Sequence, residues 1–250
     1  MNVGGCTGGG GCGVFWGETH DRPADHNAQL QLIQALHRQN SQLAIGMEMF
    51  QRPFQPVLDE YLDGTISATQ LRQRSQYDRR WGFPWEYYAP ILEYAQTHRI
   101  PVLALNTPTE VTQRVARKGL AALMESDLAW IPPLADIHTD HEAYRQFLRP
   151  IYDDFHQEHG SSQGFENFVA AQVLWDETMA ETIAAFWLGN PTSQVVVLAG
   201  QGHIMYGYGI PSRVDRRITA DLEQRLILLN PDPSRLAEPA IADFLWLAPD

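Results

Sequence analysis

The sequence has little cysteine, little positive charge and no long apolar run. Only two of its 250 residues are cysteine, so no disulfide framework supports the fold. The 18 basic residues stand against 30 acidic ones, and the net charge of −12 disfavours nucleic-acid binding because an acidic surface repels phosphate groups. No apolar run approaches the roughly 18 residues that a membrane-spanning helix needs, so we expect no transmembrane segment.

The first 13 residues are rich in glycine and contain both cysteines. We expect a flexible tail there, followed by a single domain over residues 14–250. The run Val3-Gly4-Gly5-Cys6 resembles the box before a lipid-modified cysteine, but the five residues before Cys6 hold no basic or apolar region. For the chain as written we therefore expect a cytoplasmic location. An exported lipoprotein is the alternative if the start is truncated.

Short apolar runs alternate with helical patterns along the chain. Short continuous apolar runs are typical of strands that are buried on both faces of a parallel sheet. Such runs lie at residues 14–16, 43–45, 102–105, 195–199 and 226–229. Apolar residues at helical spacing predict helices over residues 24–38 and 165–188. The sequence therefore predicts an α/β fold with a mainly parallel or mixed sheet flanked by helices.

Residues 107–119 carry the clearest helix boundaries. Thr107 is suited to the N-cap, Pro108 to the first helical position and Glu110 to the third. Gly119 is placed to end this helix. Residues 126–160 show no strand pattern, and we expect a smaller helical subdomain around residues 121–190.

Polar residues follow the predicted strands. Glu18 and His20 come after the first strand, Glu48 after the second and His203 after the fourth. Ligands of parallel sheets bind at the carboxyl ends of the strands, so we expect these side chains to form one cluster there. Asp176, on the long helix, is the helix residue that we expect to join them.

The remaining histidines lie in helical or polar surroundings, where imidazoles are usually structural or solvated. We expect no ligand role for these seven residues: His26, His37, His98, His138, His141, His156 and His159.

Two Gly-x-x-His motifs, Gly17-Glu18-Thr19-His20 and Gly200-Gln201-Gly202-His203, lie on either side of Glu48 in the sequence. The related segments are GETHDRPADH, GMEMFQRPFQPVLDEYLDG, RRWGFPWEYYAPILEYA, PVLALNTP, WDETMAETI and AGQGHIMYGYGIPSRV. In order and number these segments resemble the Tiki/TraB/erythromycin-esterase superfamily, and within it the ChaN-like haem-binding proteins match best. The resemblance runs from Val14 to about Arg217. It implies a parallel or mixed sheet with a smaller helical part and a link to haem or iron uptake.

The resemblance implies a haem-binding protein without turnover. A tyrosine or a histidine would ligate the iron, and apolar walls would cover the porphyrin. Tyr206 and Tyr208, which follow the His203 turn, are the candidate ligands, and Arg213 is placed to pair with a propionate. The ligand would then be haem or another small molecule. The formation of a homodimer is left undecided by the sequence.

A metal-dependent hydrolase, a peptidase or an esterase, is the alternative function. Glu18, His20, Glu48 and His203 would hold a divalent ion whose bound water is the nucleophile, with Asp176 as a further catalytic candidate. Mixed imidazole and carboxylate ligands do not select among zinc, manganese and iron. A metal-free variant is also open, in which His20 or His203 acts as general base. Whether the protein is an enzyme stays undecided by the sequence.

Overall fold

A computed structural model describes residues 12–159, 164–218 and 222–248. Residues 1–11, which include Cys6 and most of the tail predicted over residues 1–13, lie outside the described residues. None of the helices in the described ranges is long and apolar enough to cross a membrane.

One sheet of six strands is present in the described residues. The strands are β1 (Cys12–Glu18), β2 (Leu43–Gln51), β3 (Val102–Asn106), β4 (Gln194–Gly200), β5 (Glu223–Leu229) and β6 (Phe244–Trp246). They lie in the order β3-β2-β4-β1-β5-β6, and every neighbouring pair is parallel. The carboxyl ends of the strands therefore meet at one edge of the sheet, which we call the rim. The predicted α/β fold is confirmed.

Helices connect the strands and cover both faces of the sheet. Within the described ranges the α-helices are α1 (Pro23–Gln39), α2 (Gln55–Leu62), α3 (Ala68–Arg74), α4 (Tyr77–Arg80), α5 (Trp85–His98), α6 (Thr109–Lys118), α7 (Glu142–His159), α8 (Phe165–Gly189) and α9 (Ile210–Arg217). The helices predicted over residues 24–38 and 165–188 are confirmed as α1 and α8. Short 3-10 turns and α7 fill most of residues 120–159, where the sequence predicted helices and loops.

The middle parts of the central strands are apolar because both faces of the sheet are buried there. Along β1, Val14 and Trp16 pack in the cluster that contains apolar residues of α1 and α5. Phe15 points to the opposite face and packs in the cluster that contains residues of α8 and α9. A third apolar cluster joins α6, α7 and α8. The division of the chain into a tail, one domain and a helical subdomain stays a prediction.

Two element boundaries differ from the sequence analysis. Strand β6 was not predicted, since three residues are too few to show a period. The predicted N-cap at Thr107 is wrong: α6 begins at Thr109 after Pro108, and the buried Thr107 hydroxyl has no hydrogen-bond partner. The backbone N–H groups of Val111 and Thr112 donate instead to the carbonyl of Pro108. Gly119 ends the helix as predicted, with a φ of 76°.

Candidate functional site

The predicted site residues lie at the rim. Glu18 is the last residue of β1 and stands opposite Gly200, the last residue of β4. Glu48 lies within β2 rather than after it, because this strand continues from the predicted run to Gln51. His203 lies in the turn that follows β4. The parallel strand order thus brings distant parts of the chain to one edge.

His20 and Glu18 form the first histidine–carboxylate pair of the rim. The Nδ1 of His20 lies 2.8 Å from Oε1 of Glu18, which is almost completely buried. Glu18 also accepts hydrogen bonds from the Tyr88 hydroxyl and the Gln29 amide, two partners that the sequence analysis did not find. Burial alone would raise the pKa of Glu18, but the hydrogen bond and charge of His20 lower it overall. The Glu18 carboxylate is therefore held in its charged form.

The contacts of the first pair also raise the pKa of His20. Burial alone would lower the pKa of His20, but the Glu18 hydrogen bond and the charge of Glu48 raise it overall. About a quarter of the His20 side chain is exposed, and its ring lies against Trp81 and Phe83 at centroid distances of 4.8 and 4.9 Å. The imidazole of His20 therefore favours its charged form and is partly exposed to solvent at the rim.

His203 and Asp176 form the second histidine–carboxylate pair. The Nδ1 of His203 lies 2.7 Å from Oδ1 of Asp176, and its Nε2 lies 3.6 Å from Oε1 of Glu48. Asp176 accepts a further hydrogen bond from the Tyr144 hydroxyl. Burial alone would lower the pKa of His203, but Glu48 and Asp176 raise it to about 9. This histidine is therefore charged at neutral pH.

Gly200 is the point at which the two pairs approach one another. Its N–H donates to Oε2 of Glu48 at 2.8 Å. A Cβ at this position would lie 2.9 Å from Nε2 of His20 and 3.8 Å from Oε2 of Glu48. The structure thus brings together the predicted Glu18, His20, Glu48, Asp176 and His203. Their chemical roles stay predictions.

A cleft of about 430 Å³ opens at this cluster. Its polar lining includes Glu18, His20 and His203, and its apolar lining comes from Phe83 before α5 and from Leu148 and Ile151 of α7. Leu148 and Ile151 could not be predicted from the sequence, because their positions depend on how α7 packs over the rim. The mixture of polar groups and apolar walls suits a small amphiphilic ligand.

Tyr206 and Tyr208 lie just beyond His203, with their rings stacked at a centroid distance of 5.2 Å. Both are half-buried and contact Phe147 of α7. The Tyr206 hydroxyl donates to the carboxylate of Glu238. Burial and that carboxylate together raise the pKa of Tyr206.

Arg213 is placed differently from our expectation. Its side chain is 3% exposed, and its Nε lies 3.3 Å from Oε1 of Glu177. Its Nη1 donates to the backbone carbonyls of Tyr208 and Gly209. Because this guanidinium is buried and already balanced by a carboxylate, the structure does not support its predicted contact with a propionate.

The predicted divalent-metal set is not supported either. In the part of the chain that the structure describes, no three His, Cys, Asp or Glu side chains form a group that could hold a metal ion. Nε2 of His203 already faces Oε1 of Glu48, and Oε2 of Glu48 accepts the N–H of Gly200. Because its pKa is raised to about 9, His203 is protonated, and its Nε2 carries a proton instead of the lone pair that a metal needs.

Several solved structures are similar to this chain. ChaN of Campylobacter jejuni, which binds haem cofacially, is similar with a TM-score of 0.66 and 19% identity over 87% of this chain and 80% of that chain. The type III effector HopBA1 is similar with a TM-score of 0.52 and 12% identity over 95% of this chain and 88% of that chain. An erythromycin esterase, EreC, has a TM-score of 0.49 and 14% identity over 93% of this chain and 74% of that chain. No match was found among curated proteins.

The fold places this protein in the general class of parallel α/β proteins. Proteins of this class bind their ligands at the carboxyl ends of the strands. The family model for haem-binding uptake proteins of the Tiki superfamily, named after ChaN, matches residues 13–214. The chain belongs to this family.

Proposed function

We propose that the protein binds haem at the rim and that this binding serves haem or iron uptake. The observation that carries the proposal is the match of the haem-binding uptake family over residues 13–214. The cleft supports it, because an amphiphilic porphyrin needs apolar walls beside polar groups. ChaN of Campylobacter jejuni binds haem cofacially, so the number of haems per chain and the formation of a homodimer are to be measured together, by haem titration and light scattering.

We propose Tyr206 and Tyr208 as the iron ligands, since a phenolate is one of the donors that hold haem iron in proteins. Both rings are half-buried beside Phe147, which would provide an apolar wall. Tyr208 is the stronger candidate of the two. The Tyr206 hydroxyl is already bonded to Glu238, and its raised pKa disfavours the phenolate form.

A haem titration followed by the Soret band tests this proposal. Tyr206→Phe and Tyr208→Phe keep the rings and remove only the donors, so packing is nearly conserved. We expect the double variant to shift the Soret band and to weaken binding about tenfold or more, with most of the effect arising from Tyr208. Tyr94→Phe, on α5, is the matched control and should leave both unchanged.

Two outcomes would contradict the proposal at different levels. A double variant with the parent's spectrum and affinity would exclude both tyrosines as ligands while haem binding itself stands. A parent protein that binds haem no better than a non-specific control protein would overturn haem binding altogether.

A metal-free hydrolase is the second candidate, and the His203–Asp176 pair is the observation that favours it. A carboxylate bonded to Nδ1 fixes the orientation of an imidazole and leaves Nε2 for proton transfer, as in hydrolytic triads. Here Nε2 faces Glu48 beside the cleft. After losing its extra proton, His203 would act as the general base for a water that attacks an ester or an amide.

Product release from a panel of chromogenic esters tests this candidate. We expect turnover that is unaffected by a metal chelator and lost in His203→Gln. We also expect kcat/KM to increase with pH up to about 9, because the base must first lose a proton. Turnover that persists in His203→Gln would remove His203 from this role.

A further inference from the structure

Two histidines meet at the edge of the sheet opposite the rim. His37 lies in the last turn of α1, and His98 is the last residue of α5. These helices lead into β2 and β3 respectively, so both imidazoles lie at the amino-terminal edge of the sheet. β2 is nine residues long, which separates this edge from the rim by about 26 Å. The pair is therefore distinct from the rim site.

The spacing of the two rings suits a shared metal ion. Their centroids lie 5.2 Å apart, and their planes are inclined by 65°. A transition metal binds an imidazole nitrogen at about 2.0–2.1 Å, which places it about 3.2 Å from the ring centroid. Two imidazoles at a tetrahedral angle around one ion then have centroids about 5.2 Å apart. The observed separation therefore equals the separation expected for two imidazoles on one ion.

Tyr94 of α5 contacts both rings. Its hydroxyl lies 3.0 Å from Nδ1 of His37, and its ring lies 4.2 Å from that of His98, measured between centroids. In the Nδ1–H tautomer His37 donates to the phenol oxygen, and its Nε2 keeps the lone pair that a metal needs. A polar partner on the second ring nitrogen is the usual companion of a metal-bound histidine.

The helix ends at this pair contribute negative partial charge, opposite in sign to the neighbouring side chains of Arg38 and Arg99. The carboxyl-terminal ends of α1 and α5 meet here, and each carries the partial negative charge of its helix. His98 is exposed, which leaves the pair open to ions from solution.

We infer that the His37–His98 pair binds a transition-metal ion of the Zn²⁺, Ni²⁺ or Cu²⁺ type, with water molecules completing its coordination. Imidazole nitrogen is a preferred ligand of these ions, and carboxylate-binding ions such as Mg²⁺ are disfavoured. The pair supplies two protein ligands and so forms an exchangeable site that bridges α1 and α5.

Titration of the untagged, haem-free protein with Ni²⁺ tests the inference. We expect His37→Gln and His98→Gln each to weaken Ni²⁺ binding about tenfold or more. His138→Gln is the matched control, because His138 is also exposed but lies between α6 and α7, and it should leave the affinity unchanged. His98 is exposed at a helix end, so its replacement should leave the fold intact.

Thermal unfolding gives an independent measurement. The two histidines are distant in sequence and meet only in the folded chain, so Ni²⁺ should bind the native state and raise the Tm. This increase should vanish in both variants of the pair and persist in His138→Gln. The inference is overturned if both variants bind Ni²⁺ like the parent. It is equally overturned if Ni²⁺ first broadens the NMR signals of His20 or His203 rather than those of His37 and His98.

Discussion

Gly200 shows how much the rim depends on a single residue. A Cβ at this position would lie 2.9 Å from Nε2 of His20, closer than side-chain carbons approach their neighbours. Gly202, two residues later, has nothing within 4 Å of the corresponding position. The two glycines therefore form a matched pair for substitution by alanine.

We expect Gly200→Ala to displace the His20 imidazole and to weaken ligand binding at the rim about tenfold, while Gly202→Ala leaves it nearly unchanged. The added methyl group must move His20, whereas the same group at Gly202 meets open space. Haem titration of both variants checks the expectation. Equal affinities in the two variants would show that the position of His20 does not matter for the ligand.

His203 links the stability of the protein to pH. Its pKa is raised from 6.5 to about 9 in the folded chain, so the native state binds its proton more tightly than the unfolded chain does. The resulting stabilisation is complete below about pH 6.5 and is lost as the pH rises through about 9. We expect the free energy of unfolding to fall by a few kcal/mol across this interval.

Urea denaturation between pH 6 and 10 measures this dependence, and His203→Gln should flatten it. His138→Gln should keep the slope of the parent. A parent curve without any decrease, or a His203→Gln curve with the same decrease, would show that another group controls the titration.

The rim residues could be predicted because each lies near the end of an apolar strand run. Their supporting partners could not be predicted in this way. Tyr88 lies 70 positions from Glu18, and Gln29 lies 11 positions away on a helix whose apolar pattern gives no sign of a polar contact. Such partners are set by the packing of α1 and α5, which a local pattern does not encode.

At the scale of elements, a single carboxylate fixes α9 to α8. Glu177 is fully buried, and its oxygens lie 2.7 Å from Arg216, 2.7 Å from Arg217 and 3.3 Å from Arg213. The preceding residue, Asp176, holds His203. One turn of α8 thus fixes both the His203 turn and the helix that follows it.

We expect Glu177→Gln to lower the free energy of unfolding by about 3–5 kcal/mol, because it leaves three arginines without their shared carboxylate. Glu181→Gln is the control on the same helix. Glu181 is 33% exposed and forms an ion pair only with Arg52 among the described residues, so its loss should cost no more than about 1 kcal/mol. Denaturation by guanidinium chloride measures both changes, and similar losses in the two variants would contradict the special role of Glu177.

Element boundaries were the weakest part of the sequence analysis. The start of α6 was misplaced because a threonine before proline has the chemistry of an N-cap, yet here Pro108 takes that position. Strand β2 continues six residues beyond its predicted run because its polar end is still paired within the sheet. Hydrogen bonding to neighbouring strands determines such ends, and the apolar pattern does not.

At the scale of the whole molecule, the fold class could be predicted but the strand order could not. Alternating apolar runs and helical patterns indicate a parallel α/β sheet, but many strand orders satisfy the same alternation. Nothing in the apolar runs indicates that β1 lies between β4 and β5. That position is set by which faces and edges fit together once all the strands are present.

The central position of β1 affects how the protein is made. β1 begins at Cys12, whereas its two neighbours begin at Gln194 and Glu223. On a ribosome that adds about 5–20 residues per second, β1 is synthesised about 9–36 s before its first partner. During that interval its apolar side chains are available to chaperones and to other nascent chains. We expect chains stalled before Gln194 to be digested readily by protease and full-length chains to resist it, so the last quarter of translation completes the native sheet.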